Sequence, residues 1–275
     1  MRMICYPMYE ERSERMTSFI DAQHKYTERP DLDLFHMHTH EGYEIYCFIS
    51  GTAKFFVEGT IYPLKPNDIL IMKKAEAHSL LIGSDAPYER LCINFNKEAL
   101  LGANTETLVA TLDARPLGKK NRYASSRFAA FHWREYLERI CQTKDNDVKR
   151  LYLTVLMTEL CEQAQHIDTT NESSDNIAPI IAYINRHLTE ALSLDSLCER
   201  FYISKSHLNR KFKRLTGSTV WNYIKSKRLL MAKELLQKGI PPTVVAVQCG
   251  FNDYSAFFYA YKAQFSCSPK QDMAQ

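Results

Sequence analysis

Residues 204–217 read SKSHLNRKFKRLTG, and residues 253–266 read DYSAFFYAYKAQFS. At an offset of 49, Leu208, Phe212 and Lys213 of the first stretch fall on Phe257, Tyr261 and Lys262 of the second. Just upstream of each, Leu197-Cys198 and Val245-Ala246 correspond at an offset of 48. The one-residue slip falls in the turn, where an insertion does least harm. The C-terminal region therefore reads as one helix-turn-helix written twice. Two such units on one chain can place two helices in neighbouring major-groove segments of DNA, about one helical turn or ~34 Å apart.

The surrounding helices follow from the same kind of pattern. Ile177, Ile180, Ile181 and Ile184 share one face of a helix over residues 177–188. Ser193 and Ser204 are the expected N-caps of a short helix over 194–201 and of a second running to about Leu215. Gly217-Ser218 restarts the chain into a long helix that Gly239 ends. Pro242 and Thr243 open a helix that stops at Gly250, and Asn252 or Asp253 caps the last long one. Ser268-Pro269 is expected to terminate the domain.

Toward the N-terminus the period changes. Residues 43–50, 53–58, 69–73 and 91–95 are short apolar and aromatic runs, and Gly51, Gly59 and Pro66-Asn67-Asp68 punctuate them as turns. This predicts an antiparallel barrel or jelly roll. After Arg115-Pro116 a helical period returns. Residues 126–142 place Phe128, Phe131, Tyr136 and Ile140 near one stripe, and residues 148–164 do the same with Val148, Leu151, Tyr152, Val155, Leu156 and Leu160, behind Asp147 as N-cap. The two helices, within residues 126–164, suit either packing on the barrel or the seam of a homodimer. Residues 165–176 are polar apart from Ile167, a linker composition. The expected organisation is α+β in two domains: a barrel domain over 1–165, a linker over 166–176 and an all-α domain over 177–275.

Charge divides at the same place. Residues 1–176 carry 21 basic and 26 acidic side chains, and residues 177–275 carry 14 and 6, so a domain of net −5 precedes one of net +8. Only the second suits a polyanion partner. The eight cysteines stand singly, with no C-x-x-C pair, as reduced thiols of a cytoplasmic protein do. That argues against a zinc ribbon, a disulfide framework or a cysteine-based DNA-repair transferase. Glu10-Glu11-Arg12 interrupts any N-terminal apolar segment, and no run approaches the ~20 apolar residues of a membrane span.

On the helix after Ser204, core spacing of Leu208, Phe212 and Leu215 turns Ser206, Asn209, Arg210 and Lys213 the other way. Arg210 can pair bidentately with guanine and Asn209 with adenine. Lys205, Lys211, Lys213 and Arg214 can reach phosphates. At the 49-residue offset, Ser206, Asn209 and Arg210 become Ser255, Phe258 and Tyr259. With Tyr254 and Lys262 they form a second, largely aromatic face, suited to thymine methyl groups and backbone contacts and expected to be weakly specific.

A family is recognisable on these residues. The pattern Leu197, Ser204, Leu208, Arg210, Phe212-Lys213, Gly217, Arg228, Ala232, Leu235-Leu236, Ala246, Gly250-Phe251, Phe257, Lys262 and Pro269 resembles the AraC/XylS regulators. The chain departs from that pattern at Tyr259, where the family often has Arg, at Ser266, where it usually has Gly, and after Pro269, where a Tyr-Arg pair is missing. The resemblance implies a DNA-binding transcription regulator, an activator in most of the family, with RNA polymerase as a partner and a small-molecule effector, such as a carbohydrate, bound by the N-terminal domain.

Within that domain, His38-x-His40-x-x-x-Glu44-x(6)-Gly51 resembles the first cupin motif, and Pro66-Asn67-Asp68 followed by His78 resembles the second. Strand alternation puts Glu44 and Tyr46 on one face and Tyr43 and Ile45 on the other. His38, His40, Glu44, Tyr46 and His78 are the expected effector pocket. Three imidazoles and a carboxylate are also a donor set for a divalent transition metal. Regulators of this kind keep such positions as pocket or structural residues, so no cofactor and no catalytic residue is assigned. The competing reading is a metal-dependent cupin isomerase or dioxygenase fused to a DNA-binding module. A barrel filled by its own side chains would instead favour a DNA-bending protein without a ligand.

Overall fold

The structure, a computed structural model, describes residues 20–30, 37–102, 104–127, 132–163, 173–174 and 177–273. Strands β1 (Ile20–Thr27), β2 (Tyr43–Ser50), β3 (Ala53–Val57), β4 (Thr60–Pro63), β5 (Ile69–Met72), β6 (His78–Ile82), β7 (Tyr88–Phe95), β8 (Arg122–Tyr123) and β9 (Ser173–Ser174) form two antiparallel sheets. One runs β1-β7-β2-β5-β8 and the other β6-β3-β4-β9. Tyr46, Phe48, Phe55, Tyr62, Leu70 and Tyr88 fill the space between them. The four expected strands are all present. β1, β4, β6, β8 and β9 are additional, and their runs are too short or too polar to stand out in the sequence.

Strand β2 is buried on both faces, and the reason is layering. Glu44, Tyr46 and Phe48 look between the sheets, while Tyr43, Ile45 and Cys47 look outward under a layer of helices. That layer is α1 (Thr105–Asp113), α2 (Trp133–Gln142) and α3 (Asn146–Gln163). It covers the sheet with Trp133, Leu137, Ile140, Leu153, Leu156 and Leu160. The helices thus spend their apolar stripe on the barrel, one of the two uses the sequence allowed.

Three details differ from expectation. Helix α2 begins at Trp133, and residues 128–131, with Phe128 and Phe131, lie outside the described residues. The cap of α3 is Asp145 rather than Asp147: its Oδ1 accepts from the amides of Asp147 and Val148 at 2.9 and 3.2 Å. Leu151 and Val155 are 56 and 45% exposed, and Leu153 and Met157 are buried in their place. Helix α3 carries apolar residues at 151, 152, 153, 155, 156 and 157, so two overlapping stripes satisfy the period. Contact with the sheet selects one.

The C-terminal domain comprises α4 (Ala178–Arg186), α5 (Leu194–Phe201), α6 (Lys205–Thr216), α7 (Val220–Gln237), α8 (Pro242–Gln248), α9 (Tyr254–Phe265) and α10 (Pro269–Met273). Ser193 and Ser204 cap α5 and α6 as expected, and Asp253, not Asn252, caps α9. The repeat is visible in the packing, since Leu197 and Val245, Leu208 and Phe257, and Phe212 and Tyr261 are all fully buried in equivalent places. Ser266 adopts the left-handed conformation (φ +59°) that Gly217 has at the end of α6. Ser268-Pro269 does not end the domain. Proline suits the first turn of a helix, and α10 follows, with Asp272 accepting from the Tyr261 hydroxyl at 2.5 Å.

The polar linker is part of the barrel edge at one point, since Ser173 and Ser174 pair as β9 with Ile61 and Thr60. Ladder hydrogen bonds need only backbone, so a polar edge strand leaves no apolar signal. The domains also share a core. Phe56 and Ala77 of the barrel pack with Ile177, Ile181, Leu208 and Phe212 of the helical domain. Over this contact sits Glu58, in the two-residue turn between β3 and β4. Its Oε1 accepts from the Ala77 amide (2.7 Å) and Lys227 Nζ (2.8 Å), and its Oε2 from Asn185 Nδ2 and the Tyr223 hydroxyl (both 2.7 Å). Gly59, at φ +94°, lets Ala178 approach so closely that a Cβ there would stand 2.8 Å from the Ala178 Cα.

Candidate nucleic-acid interface and effector site

Helix α6 buries Leu208, Phe212 and Leu215 and turns Ser206, Arg210, Lys213 and Arg214 to solvent, with Asn209 and Lys211 half-buried beside them. That is the face the spacing predicts. Lys205 is exposed and pairs with Asp195 of α5 at 2.5 Å, so a phosphate would compete with that carboxylate for it. Tyr202, in the turn before α6, is 98% exposed at φ +51°. No spacing argument had selected it. On α9, Tyr254, Ser255, Tyr259 and Lys262 are exposed and Phe258 is half-buried, its ring 5.7 Å from that of Tyr259. The second face is therefore mostly phenolic, with Phe258 partly withdrawn.

Helix α7 holds the two units together. Arg228, 5% exposed, donates from Nε to the Leu188 carbonyl, from Nη1 to Gly250 and from Nη2 to Glu190, at 2.7–2.8 Å. Three carbonyls, two from the segment between α4 and α5 and one from the turn between α8 and α9, thus converge on one planar guanidinium.

The barrel brings four of the five expected pocket residues together. Nitrogen or carboxylate oxygen atoms of His38, His40, Glu44 and His78 all lie within 4.8 Å of one another. His38 and His78 are joined by a pair of backbone hydrogen bonds (3.0 Å each) that brings their rings to 4.4 Å. Glu44 Oε2 is 2.7 Å from His40 Nε2 and 3.0 Å from His78 Nε2. Burial alone would raise the Glu44 carboxyl, but the two imidazoles outweigh it and hold it well below the usual range. Burial would lower His78, and Glu44 opposite raises it instead. The Cys92 thiol donates to Glu44 Oε1 at 2.8 Å and is itself pushed up, chiefly by burial.

Tyr46 does not join the group at an open surface. It is buried against the Phe55 ring, with its hydroxyl against that of Tyr88. His38 and His40 open instead on the boundary between the domains, while Glu44 and His78 stay buried. His40 lines a cleft of about 370 Å³ with Glu41, Lys74, Lys233, Glu234 and Lys238. His38 lines a second, of about 190 Å³, with Met37, Asn222, Ser226 and Lys227. The seven described cysteines are free. No described helix is long and apolar enough to cross a membrane.

A sensing barrel joined to two helix-turn-helix units defines a ligand-responsive DNA-binding protein. Residues 24–144 match the AraC-like ligand-binding domain and residues 197–275 a helix-turn-helix domain, and the chain belongs to the AraC family of transcription regulators. It is 26% identical to the HTH-type transcriptional regulator YbfI of Bacillus subtilis over 80% of either chain. It is 33% identical to the transcriptional activator RhaS of Escherichia fergusonii over 34% of either chain, so this match spans only a third of that relative. Among solved structures, ToxT of Vibrio cholerae is 15% identical with a TM-score of 0.38, over 93% of this chain and 97% of that one.

Proposed function

We infer that this regulator is a sequence-specific activator whose first unit reads bases and whose second positions. Arg210, Asn209 and Ser206 address base edges, and Lys205, Lys211, Lys213 and Arg214 address phosphates. Tyr254, Ser255, Phe258, Tyr259 and Lys262 contact the next groove segment mainly through thymine methyl groups and backbone. The observation that carries this reading is the exposed polar face of α6 over a fully buried Leu208–Phe212 stripe. The activator sense rests on the partial likeness to RhaS, and it makes RNA polymerase a partner. A second copy of the chain fits the outer face of α3, where Leu151 and Val155 are exposed one turn apart.

The effector site moves, on this reading, from the barrel interior to the cleft beside His40. Aromatic side chains fill the interior, which taken alone favours a DNA-bending protein without a ligand, but the cleft outside the barrel alternates ammonium and carboxylate groups and offers an effector a place there. Such walls suit a small polyhydroxylated molecule, and the chain carries no catalytic assignment. Selection of bound fragments from a random DNA pool tests the regulator reading. Two short enriched blocks a helical turn apart are expected, with the block read by α6 relaxed in Arg210→Ala. Binding that merely follows salt, with no enrichment, would sink it.

A further inference from the structure

We propose that His38, His40, Glu44 and His78 bind a divalent transition metal ion, and that the bound ion sets how the recognition helix α6 is held. The site is built rather than incidental. Glu44 Oε2 and His78 Nε2 are both buried, and although Oε2 lies 2.7 Å from His40 Nε2 and 3.0 Å from His78 Nε2, these contacts are ion pairs in which neither buried atom completes a hydrogen bond of good geometry. His78 Nδ1 is 2.8 Å from the Glu76 carbonyl. A carbonyl can only accept, so Nδ1 carries the proton and Nε2 faces the cluster, the arrangement that prepares an imidazole for a metal. Cys92 fixes the other carboxylate oxygen by donating to Oε1, which leaves Oε2 to the cluster. Three imidazole nitrogens and one carboxylate oxygen form a donor set for zinc or its first-row neighbours. His38 is exposed and His40 half-buried, so an ion has a way in.

The same two short segments that supply ligands also hold α6. Met37, next to His38, donates its amide to the Thr216 carbonyl at 2.7 Å. Ser79, next to His78, donates its hydroxyl to the Leu215 carbonyl at 3.0 Å. These carbonyls belong to the last turn of the recognition helix, where no further helical amide can reach them. On the far side of His40, Glu41 pairs with Lys233 of α7 at 2.8 Å. An ion that draws 38, 40 and 78 together therefore fixes the partners of α6 and α7 at the same time. The consequence for DNA rests on the regulator reading above, whereas the site itself does not.

The test uses the full chain, stripped with a chelator and titrated with zinc(II) by calorimetry. One ion per chain is expected, with affinity lowered about tenfold or more in His38→Ala and in His40→Ala, whose side chains reach solvent and whose removal should leave the circular dichroism spectrum unchanged. Cobalt(II) in place of zinc should give the intense visible bands of a four-coordinate site, lost in the same variants. No binding, or binding that ignores both variants, overturns the site. In parallel, zinc should change the affinity for a selected DNA fragment by about fivefold or more in the wild type and leave that of His38→Ala alone. Zinc bound at these residues in a chain whose DNA affinity does not respond would uphold the site and overturn the coupling.

Discussion

Arg210 and Lys213 stand one turn apart on the exposed face of α6, and they should fail differently. Arg210→Ala is expected to cost about 1–3 kcal/mol of binding and to relax preference at one base pair. Lys213→Ala should weaken all sequences alike and flatten the salt dependence by about one unit of slope. Binding isotherms on the selected fragment and a scrambled one, at several salt concentrations, separate the two. An Arg210→Ala loss that is equal on both fragments would remove its base-reading role. Tyr202 poses another residue-scale question. It is almost wholly exposed in a left-handed conformation that disfavours side chains with a Cβ. Tyr202→Gly should therefore raise the urea midpoint. Should the same change weaken DNA binding, the strained tyrosine is held there for contact with the nucleic acid.

At the scale of elements, the C-terminal end of α6 is completed by the barrel. Ser79→Ala removes the donor to the Leu215 carbonyl in a buried setting and should cost about 1 kcal/mol, with faster amide exchange concentrated in α6. Exchange spread evenly over the chain would mean that the hydroxyl does not hold the helix. Helices α5 to α9 were legible in the sequence almost to the residue, because Ser193, Ser204, Gly217, Gly239 and Gly250 punctuate them and the repeat checks each half against the other, whereas α10, which begins at the proline expected to end the domain, was not. The barrel was less legible. Strands β4 and β9 carry too little apolar pattern, and α3 carries too much, so that Leu151 and Leu153 were interchangeable until the sheet chose between them. The cluster of three histidines and Glu44 was readable from the resemblance of His38, His40, Glu44 and His78 to the cupin motifs. Tyr46 shares its strand face with Glu44, and that alternation said nothing of the Phe55 ring, which packs against both Tyr46 and His78. Ser79 and Glu58 had no signal at all, because their partners lie 136 and 169 residues away in sequence.

For the whole molecule, Glu58 is the buried charge at the junction of the two domains. Its carboxylate collects donors from Ala77, Asn185, Tyr223 and Lys227, and it is buried. Burial alone would raise its pKa, but Lys227 and the hydrogen bonds prevail and hold it below the ordinary 4.5. A carboxyl lowered by folding adds stability at pH values above its unfolded pKa, and the contribution disappears as pH falls through the folded value. Lys227→Met removes the only full charge facing it among those donors, and stranding a buried carboxylate costs about 3–5 kcal/mol. In that variant burial acts unopposed by the ammonium, so the carboxyl is pushed up and takes a proton as pH drops. The deficit of Lys227→Met relative to wild type should therefore be largest near neutral pH and shrink toward pH 4, where the wild type has begun to lose its own contribution and the variant's Glu58 is neutral. Urea unfolding of both proteins between pH 7.5 and pH 4 reads this directly. A deficit that stays constant across the range would mean that Lys227 contributes by packing its alkyl stem, and that the domains are joined by the shared apolar core of Phe56, Ala77 and Phe212 rather than by charge.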